Sequence, residues 1–156
     1  MSEKLYAYIA GFLDGDGCIM AQLIRRKDYI YGYQVRLSIV FYQKENHRHH
    51  LEWLKKKFKY GYIRNRGDGM CEYTIVGLKE VGQISQLLIP YLKLKKDLAK
   101  LIVKISKMPK KPSQEELIRY AKLVDASAEF NYSKKRINRA STVEAFLKNI
   151  LLPRND

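Results

Sequence analysis

The 156-residue sequence has only two cysteines, Cys18 and Cys71, and they form no CxxC pair. This speaks against a disulfide framework or a structural zinc site and suits a reducing, intracellular setting. No run of 18 or more apolar residues exists, so no transmembrane helix is expected. The N-terminus, Met1-Ser2-Glu3-Lys4, leads into a short apolar stretch that ends at Asp14, and this lacks the pattern of a signal peptide or other targeting segment. There is no low-complexity segment and no internal duplication. Acids are scarce as well: 16 Asp and Glu stand against 30 Lys and Arg, a net charge of +14. That excess in a small domain calls for a polyanionic partner. Without a long basic amphipathic helix, a membrane surface is the weaker candidate. Nucleic acid is the expected partner, supported by twelve tyrosines, and no small-molecule substrate is expected.

The length suits one domain over residues 1–156 with a real core. The spacing predicts a helix over 5–15. Cys18 to Arg26 and the alternating stretch around 34–41 then form a hairpin turned by Asp28 to Gly32. Asn46 is the expected N-cap of a helix carrying Leu51, Leu54 and Phe58. A second hairpin pairs Tyr60–Arg66 with Glu72–Val76 around Gly67-Asp68-Gly69. A helix over 78–88 stops at Pro90, and Leu94, Leu98, Leu101, Ile102 and Ile105 form the apolar face of another. Pro109 and Pro112 mark a linker. Ser113 with Glu116, and Ser141 with Glu144, have capping-box spacing before helices over 114–130 and to about Leu152. The order predicts an α+β fold, with helices gathered on one face of an antiparallel sheet. The core spans about 5–107 and C-terminal helices about 113–152.

Helices on one face leave the other open. Its residues would be Gln22, Arg26, Arg36, Ser38, Arg64, Arg66, Glu72 and Thr74. Arg suits guanine, Gln adenine, and Glu can accept from cytosine. The plain alternative is a solvated face, common in antiparallel sheets. The net charge tips the reading toward DNA.

The first helix is unusual. Ala7, Gly11 and Gly15 share a face and form a small-residue stripe, although glycine costs a helix about 1 kcal/mol per residue. A close crossing with another helix would justify that cost. With no second such helix in the chain, the simplest partner is its own copy across a two-fold axis. A helix apolar all round is also expected to be buried all round. The helix then ends on Asp14-Gly15-Asp16-Gly17. Carboxylates at a helix C-terminus oppose its dipole unless a cation sits there. Hard cations such as Mg²⁺ take such oxygens and suit phosphodiester hydrolysis. A simple turn is the alternative; an EF-hand fails, because Ile19 and Arg25 stand where Gly and Glu are needed.

Ile9-Ala10-Gly11-Phe12-Leu13-Asp14-Gly15-Asp16-Gly17 resembles the motif of LAGLIDADG homing endonucleases. Arg64-Asn65-Arg66-Gly67-Asp68-Gly69, Glu72-Tyr73-Thr74-Ile75 and Pro90-Tyr91-Leu92-Lys93-Leu94-Lys95-Lys96 resemble its single-motif, group I intron-encoded members. The resemblance covers nearly the whole chain. It implies an αββαββα core, with a saddle-shaped sheet for DNA and a helical extension. It implies a homodimer that breaks both strands of a long pseudo-palindromic site, leaving short 3′ overhangs, with a divalent metal: Mg²⁺, or Mn²⁺, with Ca²⁺ able to occupy the site without cleavage. Asp16 would be the metal ligand, assisted by the Gly15 carbonyl. Gln43 and Lys95 fall at active-site positions. Where the family places Arg or Lys, this chain has His47, followed by Arg48; either could take that role. Ser133, Lys134, Lys135 and Arg136 resemble a loop that touches the DNA backbone. Two alternatives share the fold: an intron-RNA-binding maturase and a DNA-binding protein that does not cut.

Overall fold

A computed structural model describes residues 1–131 and 136–151. The elements run α1 (Glu3–Asp16), β1 (Gly17–Arg25), β2 (Tyr33–Lys44), α2 (Arg48–Phe58), β3 (Tyr62–Asn65), β4 (Met70–Val76), α3 (Leu78–Leu88), α4 (Lys96–Ile105), α5 (Gln114–Ala126) and α6 (Ala140–Leu151). Short 3₁₀ turns at Glu45–His47 and Ser127–Phe130 lead into α2 and out of α5. The four strands make one antiparallel sheet in the order β1-β2-β4-β3.

Alternation along β2 decides the two faces. Val35, Leu37, Ile39 and Phe41 are buried in a single core with Ile19, Tyr73 and Ile75 from the flanking strands and with the apolar faces of all six helices. Val40 is also buried, yet it lies outside that core and points to the opposite face. The α+β architecture with helices on one face is therefore the observed one.

Several boundaries differ from expectation for local reasons. α1 begins two residues early because the Ser2 hydroxyl accepts from the Leu5 N–H. Asn46 does not cap α2; it sits inside the 3₁₀ turn, and α2 follows His47. β3 is only four residues long. Before it, Gly61 adopts φ 80°, and its backbone approaches the Thr74 carbonyl too closely for a Cβ. Leu94 is 78% exposed and precedes α4 instead of joining its apolar face. The Ser113–Glu116 capping box forms with both bonds in place. The Ser141–Glu144 box does not, because α6 already starts at Ala140, whose N–H donates to the Asp125 carboxylate at 2.9 Å.

The C-terminal helices fasten the first hairpin. The Arg25 guanidinium lies 3.8 Å from the Phe146 ring centroid and donates to the Gly32 carbonyl. β1 is an edge strand, and two of its carbonyls are bonded by side chains from the segment before α6: Arg136 donates to Ala21 and Asn138 to Leu23, both at 2.9 Å.

Candidate active site and nucleic-acid interface

The end of α1 separates two acids by function. The Asp14 carboxylate accepts from the backbone N–H groups of Lys93, Leu94 and Lys95 at 2.7, 3.1 and 2.9 Å. Those donors lie just ahead of the α4 N-terminus, where negative charge is favourable. The Asp14 carbonyl in turn accepts from the Lys95 ammonium at 2.6 Å. Asp14 therefore ties α1 to α4. Asp16, two residues on, is exposed, and its carboxylate has no hydrogen bond or ion pair among the described residues. Gly17 starts β1 at once, and a Cβ there would strike the Leu13 backbone and side chain.

The other candidates are placed by the strand register and by the cleft beside this corner. Gly17 pairs with Phe41, so Gln43 lies two residues past that rung. Lys95 carries its charge beside Cys18: burial raises the thiol pKa, and the lysine partly lowers it again. Asp14, Gly15, Cys18, Met20, Gln22 and Lys95 line part of a cleft of about 560 Å³. His47 closes the 3₁₀ turn after β2 and is exposed. Arg48, the alternative to it, is committed elsewhere: its guanidinium bonds Glu52 at 3.0 Å and the Asn65 side chain at 2.5 Å. Among the described residues no three His, Cys, Asp or Glu gather as a metal site.

Burial and the neighbouring His49 and His47 push the His50 pKa down. His50 is not part of a solvated polar helix face. It stacks on Trp53 with 5.3 Å between centroids, meets Phe12, and its Nε2 is 3.1 Å from the Tyr8 hydroxyl. The open side of α1 borders this aromatic cluster. Ala7, Gly11 and Gly15 are exposed, and a Cβ on Gly11 or Gly15 would meet nothing within 4 Å. The helix is buried only through Ile9, Ala10 and Leu13, not all round, since the rest of the chain covers one side of it.

The open face of the sheet is less uniform than a list of polar residues suggests. Gln22 stands exposed opposite Arg36. Ser38 and Thr74 are short and lie low in the middle, 2% and 4% exposed, while Arg36 Nε and Thr74 Oγ1 are buried without a partner. Glu72 is 8% exposed and accepts from Arg64 Nε at 2.6 Å, which raises the Arg64 pKa. The Arg64 side chain still stands 64% exposed. Arg66 follows β3, lies 5.6 Å from the Tyr42 ring centroid and pairs with Asp68. The result is a shallow floor of Ser38, Val40 and Thr74 with Arg and Gln at its margins. Tyr42, paired with Glu72 and facing Arg66, adds an aromatic ring to this face.

Two arginines depart from their expected places. Arg26 is beyond β1, in the turn, and its guanidinium grips Asp28 through two bonds of 2.9 and 2.8 Å. That pairing holds the Asp28 carboxyl down at about 2. Arg136 does not reach outward for phosphate. Its guanidinium turns inward to the Ala21 carbonyl and the Ser127 hydroxyl, and burial lowers its pKa. Ser133, Lys134 and Lys135 lie outside the described residues. No helix among the described residues is long and apolar enough to cross a membrane.

Known proteins match this arrangement. Residues 9–111 match the model of the LAGLIDADG endonuclease family. The chain is 37% identical over 146 residues to the DNA endonuclease I-CvuI of Chlorella vulgaris, covering 93% of this chain and 91% of that one. It is 33% identical over 151 residues to the DNA endonuclease I-CreI of Chlamydomonas reinhardtii, covering 96% and 92%. A crystal structure of I-CvuI on the I-CreI target with 2 mM Mg, its DNA not cleaved, superposes with a TM-score of 0.90 over 95% of both chains at 36% identity. I-CvuI on its own target with 2 mM Ca also gives 0.90, over 94% of each. With its motif helix, four-stranded sheet and helical layer all in register with these relatives, the chain belongs to the LAGLIDADG endonuclease family.

Proposed function

We propose that this chain is a site-specific homing endonuclease that works as a homodimer on double-stranded DNA. Its class of activity, DNA endonuclease, follows from family membership and from two relatives of that name. The finer reading rests on one contrast. Asp14 is saturated by three backbone donors, whereas Asp16 beside it is exposed and unpartnered at the negative end of a helix.

A divalent cation fits that position. The donors are a carboxylate and a backbone carbonyl, both hard oxygens. One chain offers a single carboxylate, from Asp16, with the Gly15 carbonyl. Two chains joined along Ala7, Gly11 and Gly15 offer two. Mg²⁺ is the ion this donor set suits best. Mn²⁺ is a workable substitute, and Ca²⁺ could occupy the site without supporting cleavage. When bound, the cation supplies an activated water and stabilises the leaving oxygen.

The chain's own residues do the rest. Asp16 and Gly15 hold the charge at the seam between subunits. Lys95, fixed by the Asp14 carbonyl, sets a positive charge beside the cleft where a phosphate would pass. Gln43 orders water from the end of β2. His47 takes the remaining polar position, because Arg48 is tied to Glu52 and Asn65. Gln22, Arg64 and Arg66 read base edges from the margins of the open face, and Glu72 holds Arg64 by its Nε, leaving the terminal nitrogens to pair with guanine. A long pseudo-palindromic site and short 3′ overhangs complete the reading.

Asp16→Asn tests it. Incubated with DNA spanning candidate intron-insertion sites and Mg²⁺, wild type cuts both strands. The variant binds the same DNA and cuts about 10³-fold more slowly. Normal cutting by the variant overturns the assignment.

A further inference from the structure

Four lysines crowd the end of α2: Lys55, Lys56, Lys57 and Lys59, all exposed. Lys57 turns toward the Trp53 ring. The other three, with Arg48, Glu52 and Ile63, line a groove of about 430 Å³. Its one acid, Glu52, is already held by Arg48. Three lysines therefore face this groove with no acid partner among the described residues.

The groove lies on the helix side of the sheet. Ile63 pairs with Tyr73, a core residue, so its side chain points away from the open face. A duplex seated on the open face is separated from these lysines by the edge strand β3 itself.

The end of a helix attracts cations, but its dipole amounts to about half an elementary charge. Four lysines within five residues exceed that and repel one another. The backbone adds a second observation. Lys59 is the one non-glycine residue with positive φ among those described, at 65°, in the left-handed position that ends α2. Glycine fills such positions without strain. Here the chain holds a lysine instead, which adds a charge to the groove lining.

We propose that Lys55, Lys56 and Lys59 form a second nucleic-acid backbone site, on the helix side of the sheet, that binds phosphates outside the cutting reaction. Two sources share that chemistry: the flank of a target duplex bent around the β3 edge, and a separate RNA strand.

The test uses the full chain, a short mixed-sequence DNA duplex and a short single-stranded RNA. Binding is measured across a KCl series for wild type and K55Q/K56Q/K59Q, each with and without R64Q/R66Q. All three lysines are exposed, so glutamine leaves the fold intact. The triple variant should lose about tenfold in affinity, and its slope of log K against log salt should flatten by about 2 to 3, in both backgrounds. Loss for the duplex alone identifies the bent flank; loss for RNA identifies a separate strand. Unchanged slope and affinity for both probes overturn the proposal and leave the lysines to the helix end.

Discussion

The two sides of α1 are built from the same short sequence and behave oppositely. Ile9, Ala10 and Leu13 are fully buried, and Asp14 is held by α4's leading N–H groups. Ala7, Gly11, Gly15 and Asp16 are exposed. A glycine inside the folded chain shows what a closed crossing looks like. Gly82 in α3 lies against Ser106, just past the end of α4, so closely that a Cβ would collide with its side chain. A Cβ on Gly11 or Gly15 meets nothing within 4 Å. Their smallness does nothing for the single chain, yet costs it helix stability of about 1 kcal/mol each. One side of α1 therefore serves the fold, and the other is open in the single chain, where the proposed second copy would pack.

Placing a large side chain at Gly11 should break that division most severely. A Cβ at Gly11 meets nothing within 4 Å in one chain, so Gly11→Leu should still fold, with the helix content of wild type by circular dichroism. In a dimer the clash is doubled by symmetry and removes about 2–6 kcal/mol of association free energy. Double-strand cleavage at fixed enzyme concentration should fall at least about a hundredfold. Unchanged cleavage would place the seam elsewhere.

Asp14→Ala should strike the other side and act on the fold. It leaves three backbone donors short of their acceptor, at a cost of about 2 kcal/mol in unfolding free energy by denaturant titration. The loss should appear at any metal concentration. A variant as stable as wild type, yet unable to cut, would move Asp14 from the fold to the metal.

Much of this was legible in the sequence because it depends on period. Val35, Leu37, Ile39 and Phe41 announced the core face of β2, and Ser113 with Glu116 announced a cap that forms as expected. Two of the misplaced groups share a cause: a partner far along the chain claimed them. Asp125 supplied the cap of α6 in place of Ser141. Ala21 and Ser127 drew Arg136 inward. Arg26 is a local case: β1 ended one residue sooner, and the side chain turned to Asp28 two residues on. At the candidate site, the motif located Asp16. Only the fold separated it from Asp14 and committed Arg48 to Glu52 and Asn65.

The central claim is that the open side of α1 is covered by a second copy, so that two Asp16 carboxylates meet. Sedimentation equilibrium at micromolar concentration tests it most directly. A species with the mass of two 18.3 kDa chains is expected. A single 18.3 kDa species that still cuts both strands would contradict it.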